Sequence, residues 1–426
     1  VKRLTRAEFR DALEKGLGRA VLHARRYGLR GLEDEIRSAL KRPLAYDQQV
    51  EWGRGKWLAE VISANRAQTK FRQLALDLMR RVHTYAATRQ LAELAGAYAA
   101  SGDVEFKEAL YAVFERELLR DNVIGDDEAI AVDGIDGYAR LVKIVGRLSR
   151  RKRTIPDYAA EAIYNVAKQK LGESNAKKTL ESSDPDIIHY RAILAEQLAR
   201  RRRPTLRPVS WANLRRRVAV NDTKAYSMAR RFGREASPAS RDLALSYLTK
   251  HVDERKVAAL LGVFAIGNLP RYDPMIARYS VHSDLRLRSR AIRALSKVTD
   301  PNVRSLALTL LKRAGKDKAF AFELFARNYL DSDGELLLIA LESLHAKDNL
   351  HRAVLGLRDV ADANKNDSLR KTIIRAWELS PCSYCRLGFF ETLLAANAAP
   401  SWMIREARWD TEEELRALAL KHSNRR

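Results

Sequence analysis

An all-α chain, stacked as an α-solenoid of helical hairpins with a basic central segment, is what this sequence predicts. A recurring helix start is the first sign: Asp300-Pro301-Asn302-Val303-Arg304 repeats the lettering of Asp284-Leu285-Arg286-Leu287-Arg288, with an echo at Asp103-Val104-Glu105-Phe106-Lys107. In each Asp-x-x-apolar-basic copy the carboxylate suits an N-cap, where it accepts orphan backbone N–H groups, and the apolar residue one turn in faces a core. Spacing is the second sign. Asp300, Asp333 and Asp367 stand 33 and 34 residues apart, the interval at which helical-hairpin repeats stack. Composition is the third, because Ala, Leu and Arg dominate while the 11 prolines fall mostly where helices would begin or end.

Residues 1–148 read as helical hairpins with breaks at Gly16 to Gly18, Gly28 to Gly31, Pro43 and Ser101 to Asp103. Leu91, Leu94, Ala95 and Tyr98, then Phe106, Leu110, Val113 and Phe114, step by three and four and predict one helix pair with facing stripes. The stretch from Ile124 to Asp136 is acidic, which suggests a hard-cation site, but its spacing does not match an EF-hand loop, and Asp at a helix start is the simpler reading. In the segment 149–236, Asp184 and Pro185 predict a helix start, Pro204 to Ser210 a bend or linker, and Ser210 a cap for a short helix through Val218. From 237 to 426 the repeat signal strengthens. Ser237 and Pro238 open a helix, and Val257 to Gly267 reads as a buried one. Leu287, Ala291, Ala294, Leu295 and Val298 form one stripe, followed by Val303, Leu306, Ala307, Leu310 and Leu311. Further helices are expected over 318–330, 335–346, 350–363, 368–379, 383–396 and 411–422.

The net charge of +24 is unevenly placed. Basic residues number 23 against 22 acidic ones over 1–139, 24 against 9 over 140–235, and 31 against 23 over 236–426, so the middle carries most of the excess. There lie Arg150, Arg151, Lys152 and Arg153, then Arg200, Arg201, Arg202, Arg203, Arg207, Arg215, Arg216, Arg217, Arg230 and Arg231, interleaved with Tyr158, Tyr164, Tyr190, Trp211 and Tyr226. Guanidinium forks match phosphate oxygens and aromatic faces stack on bases, so these arginines and lysine, with Trp211, are the candidate nucleic-acid-binding residues. The same runs also suit solvated helix ends, where cations complement the dipole, and consecutive positions about 100° apart cannot share one face.

No apolar run approaches the roughly 20 residues a bilayer span requires. Glu8, Asp11 and Glu14 argue against a transit peptide, and a signal-peptide core is lacking, so a cytoplasmic address without a membrane partner is expected. Val1 in place of Met suggests a non-standard start codon or a trimmed record. Only Cys382 and Cys385 are present, which excludes a disulfide framework. Their Cys-x-x-Cys lettering lacks the βαβ setting of a thioredoxin-like site, and His345, His351 and His422 have no finger-like spacing for zinc, so buried packing is the expected role. Walker, dinucleotide and His-Glu-x-x-His signatures are missing, and neither a catalytic residue nor a cofactor is assigned.

The hairpins with Asp-x-x-apolar-Arg at their starts, clearest from residue 237 onward and more diffuse over 70–148, resemble HEAT repeats. The tail resembles the end of bacterial HEAT-repeat proteins of unassigned role, through Pro381-Cys382-Ser383-Tyr384-Cys385-Arg386, then Trp402, Trp409-Asp410 and Leu415-Arg416-Ala417-Leu418-Ala419. That resemblance implies a ladder of hydrogen bonds joining neighbouring hairpins through Asp284, Arg288, Asp300 and Arg304. The basic, Pro-broken centre departs from the repeat consensus. HEAT-like alkylpurine DNA glycosylases use aromatics and a carboxylate in a basic groove, and six tryptophans (Trp52, Trp57, Trp211, Trp377, Trp402 and Trp409) raise that reading, but their active-site pattern finds no residue-by-residue match here. The expectation is therefore a non-enzymatic solenoid engaging a nucleic-acid backbone, DNA or RNA. A protein scaffold with an acidic partner is the first alternative and a glycosylase the second.

Overall fold

Helices carry the whole architecture of the computed structural model, which describes residues 2–64, 68–201, 208–251, 253–364 and 367–423. Among the described residues there are 25 α-helices, one short 3-10 turn and no strand. The order begins α1 (Arg6–Lys15), α2 (Arg19–Tyr27), α3 (Glu33–Lys41), α4 (Arg54–Ser63), α5 (Gln68–Arg81), α6 (Tyr85–Ala100), α7 (Val104–Leu118), α8 (Asp126–Arg150), α9 (Ala159–Leu171), α10 (Glu173–Thr179) and α11 (Pro185–Arg201). It continues with α12 (Trp211–Ala219), α13 (Ala225–Glu235), α14 (Pro238–Leu248), α15 (Glu254–Ile266), α16 (Pro274–Tyr279), α17 (Leu285–Leu295), α18 (Pro301–Leu311), α19 (Lys316–Leu324), α20 (Asp333–Glu342) and α21 (Lys347–Ala363). After a 3-10 turn (Asp367–Leu369) come α22 (Arg370–Leu379), α23 (Ser383–Ala395), α24 (Ser401–Ala407) and α25 (Glu413–Ser423). No described helix is long and apolar enough to cross a membrane.

Two compact units result, one of Val1–Pro204, Cys382–Tyr384 and Ser401–Arg426, the other of Thr205–Pro381 and Cys385–Pro400. The charge-rich segment 149–236 is thus divided at Pro204. In the first unit α2, α4, α6, α8 and α11 pack in succession as one layer, and α1, α3, α5 and α7 form a second layer against it. In the second unit α13, α15, α17, α19 and α21 follow one another in the same way, with α12, α14, α16 and α18 leaning on α13, α15, α17 and α19. Glycines let the main layers close up. A Cβ on Gly55 of α4 would lie 1.8 Å from the Gln90 carbonyl oxygen of α6, and one on Gly233 of α13 would lie 2.0 Å from that of Val263 in α15. Contacts that short cannot exist, so these crossings require glycine.

The helix starts follow the sequence signals. Asp103, Asp284 and Asp300 each accept backbone N–H groups two or three residues on, as do Ser210 and Ser237. Asp333 differs: it is the first residue of α20 and its carboxylate takes a bidentate pair from Arg304, at 2.6 and 2.8 Å. Asp367 opens only the 3-10 turn, and α22 begins three residues later. The ladder expected through Asp284 and Asp300 does not form as named, although both arginines reach acids of later helices. Arg288 pairs with Asp317, and Arg304 with Asp333, each 29 residues on, while Asp284 and Asp300 serve as caps of their own helices. Helix α24 falls where no helix was expected, because its seven residues are too few to display a period.

The chain's last helices belong to the first unit. Trp57 Nε1 donates to the Trp409 carbonyl oxygen at 2.8 Å, Thr411 N–H to that of Gly16 at 3.0 Å, and Arg19 pairs with the buried Glu406 at 2.6 Å. The Arg25 guanidinium lies 3.7 Å from the centre of the Trp409 ring.

Candidate nucleic-acid interface

The arginine runs are spread over both units and over several helix faces. In the first unit Arg150, in the last turn of α8, pairs with Asp186 at 3.2 Å. Arg151, Lys152 and Arg153 form the exposed turn that closes that helix, with Lys152 in the left-handed region (φ 53°) and Arg153 N–H donating to the Leu148 carbonyl oxygen. Arg200 is held by Glu196 one turn earlier on α11. Arg201 ends α11, and its side chain, like Arg202, Arg203 and Arg207, lies outside the described residues. In the second unit Arg215, Arg216 and Arg217 are exposed around α12, Arg217 pairs with Asp222, Arg230 is exposed on α13, and Arg231 is half-buried. Trp211 is engaged by other rings, 5.6 Å from Phe232 and 5.6 Å edge-on from Tyr247. Tyr190 is fully buried and its hydroxyl donates to the Ala160 carbonyl oxygen.

A second set of cations does converge. Arg286, Arg290, Arg293 and Lys297 recur at intervals of four, three and four along α17 and its C-terminal turn, which puts them on one helix face. Arg286 and Arg290 line a cleft of about 350 Å³ formed by α13, α15, α17 and the Asn221–Thr223 turn, and with Arg293 they line an adjoining hollow of about 260 Å³, while Lys297 lies further along the face. Arg290 is its centre. The guanidinium lies over Tyr226, 3.5 Å from the ring centre, while its Nη1 donates to the Ala258 carbonyl oxygen at 2.7 Å. Burial pushes the Arg290 guanidinium below its ordinary value, with Tyr226 opposing. At the rim Arg286 has a side chain 81 % exposed, and Arg255 and Arg293 are also exposed.

The acids around the cleft are already committed to neighbours. Asp284 caps α17, Asp222 accepts from Lys224 N–H and pairs with Arg217, and Glu254 meets His282 at 3.1 Å. Further along the face, Lys297 Nζ donates to the carbonyl oxygens of Phe264 and Gly267, at 3.1 and 3.3 Å. Burial, with Arg293, Arg241 and Arg327 nearby, pushes its ammonium down to about 8. Burial is the larger cause, and the like charges add to it.

The sequence reading passed over this stripe because it looked for adjacent arginines. The usable signal was helical period: four cations at i, i+4, i+7 and i+11 share a face, whereas four in a row encircle the helix. Tyr226 was singled out among the interleaved aromatics, and it is the one described member of that set with an arginine stacked on it. The cysteines are buried, and Cys385 Sγ lies 3.4 Å from His351 Nε2. No protein-family model and no curated protein matches this chain.

Proposed function

We propose that this chain is a non-enzymatic, HEAT-like helical solenoid that binds the backbone of a nucleic acid through the basic face of its second unit. The observation that carries the reading is the single-face stripe Arg286, Arg290, Arg293 and Lys297 beside a cleft floored by Tyr226. Guanidinium groups in a row present paired N–H donors to successive phosphates, which a solvated charge run has no reason to do.

Fluorescence anisotropy with labelled DNA and RNA at increasing salt tests this. Affinity falls as salt rises, with a logarithmic slope of about −0.7 to −0.9 per phosphate neutralised, and the triple variant Arg286→Ala, Arg290→Ala, Arg293→Ala lowers that slope by roughly two to three. Absence of binding to both polymers at low salt overturns the reading. So does equal binding by the triple variant.

A further inference from the structure

We infer that the cleft beside Tyr226 receives an unpaired nucleotide, so that the ligand of the basic face is single-stranded DNA or RNA rather than a duplex. The inference rests on the proposed function and adds the class of nucleic acid. Three features of the cleft argue for it.

Its floor is planar and fixed. Arg290 lies over the Tyr226 ring, 3.5 Å from its centre, both line the cleft, and a hydrogen bond from Nη1 to the Ala258 carbonyl oxygen anchors the guanidinium. A phosphate needs N–H edges and gains nothing from such a face; a nucleobase gains a stacking surface, since every base has a π-face.

The walls divide by chemistry. Apolar Ala258, Ala259 and Leu287 line the cleft beside Asn221, Thr223 and the carboxylates of Asp222, Glu254 and Asp284, which Arg217, His282 and Arg286 hold, and Leu285 of the adjoining hollow is 41 % exposed. The exposed cations Arg286, which meets Asp284 at 3.3 Å, and Arg255 also line the cleft. A nucleotide has this same division, with a flat, weakly polar base and an anionic phosphate a few bonds away.

The third feature is accessibility. In a duplex both faces of each base are covered by stacked neighbours, so a duplex presents phosphates and groove edges only and would leave the Arg290–Tyr226 floor unused. An unpaired strand can splay a base into the hollow while its phosphates remain on Arg286, Arg293 and Lys297.

The experiment compares one labelled mixed-sequence oligonucleotide as a single strand, as a duplex with its complement, and as the same single strand with abasic positions, all at one salt concentration and in both DNA and RNA form. The expected result is tighter binding of the intact single strand than of the other two. Arg290→Lys keeps the charge and loses the plane, and it lowers single-strand affinity about fivefold or more, a larger loss than it causes for the duplex. Tyr226→Leu behaves likewise, and Tyr226→Phe retains the wild-type preference, which separates a lost stack from a lost fold. If duplex binds as tightly as single strand, or if Arg290→Lys and Tyr226→Leu leave the preference intact while Arg286→Ala weakens every ligand, the inference is overturned and the proposed function stands. If no nucleic acid binds, both fall.

Discussion

Glu51 and Arg54 form a deeply buried ion pair of the first unit, with side chains 0 % and 2 % exposed, 2.8 Å apart. Glu51 also accepts backbone N–H groups from Tyr46, Asp47 and Ser383. Burial raises its pKa, but the Arg54 charge and the Ser383 and Asp47 N–H donors outweigh burial, and the net direction is down. A carboxylate depressed in the folded state adds stability that is fully present above its unfolded value near 4.5 and is lost as pH falls through the folded value. Glu51→Gln removes the charge and leaves Arg54 buried with its counter-ion gone. A loss of about 3 kcal/mol or more at neutral pH is expected in urea unfolding. The gap between variant and parent should narrow as the pH drops below 4.5, and a gap independent of pH would refute the assignment.

Whole elements were legible where a short motif has one physical solution. Asp103, Asp284, Ser210 and Ser237 cap helices because each needs only a side-chain oxygen near free N–H groups. The stripes over α6, α7 and α17 are buried for the same local reason, a period of 3.6. Partnership across hairpins was less legible: Arg288 and Arg304 reach later helices, but Asp317 and Asp333 answer them, a choice made by packing 29 residues away. The candidate site was half visible, with Tyr226 singled out for its place among cations and the α17 stripe hidden by its spacing. Helix crossings give a direct test of the packing. Gly233→Ala brings a Cβ into the Val263 carbonyl of α15, and a loss of about 1–3 kcal/mol is expected as a lower urea midpoint for the second unit.

Another test at this scale lies at the start of α8, where Asp126, Asp127 and Glu128 stand together. Burial first, then the charges of Glu93, Asp126 and Asp127, push the Glu128 carboxyl up to about 8, and burial pushes Asp126 up to about 6. An acid whose folded pKa is raised favours the native state while protonated, and that stability drains away as pH climbs from the unfolded value toward the folded one. Glu128→Gln fixes the neutral form. Its thermal midpoint should match the parent near pH 4 and exceed it by about 2 °C or more near pH 9. A variant less stable at both pH values would show that the carboxylate is needed in its charged form.

At the scale of the molecule, the sequence order of the first unit is not its spatial order. A stack built only from neighbours in sequence would leave residues 401–423 far from α1, yet Trp409 lies beneath Arg25 and beside Trp57, Glu406 holds Arg19, and Arg416 meets Glu60 at 3.1 Å. These partners are drawn from α2 and α4, so the segment that holds α24 and α25 is fastened to the first helices of that layer. Trp57, 1 % exposed, is the side chain most dependent on that segment. Deleting 401–426 uncovers it, leaves the Trp57 indole N–H without the Trp409 carbonyl, and strips Arg19 of its acid. Hydrogen exchange followed by mass spectrometry should then record a larger rise in exchange across α1, α2 and α4, whose ends and side chains that segment binds at Gly16, Arg19, Trp57 and Glu60, than across α10 and α11. Equal protection of α1 to α4 with and without the tail would mean that the first unit is closed by its own N-terminal helices, and that the returning segment only lies against a finished end.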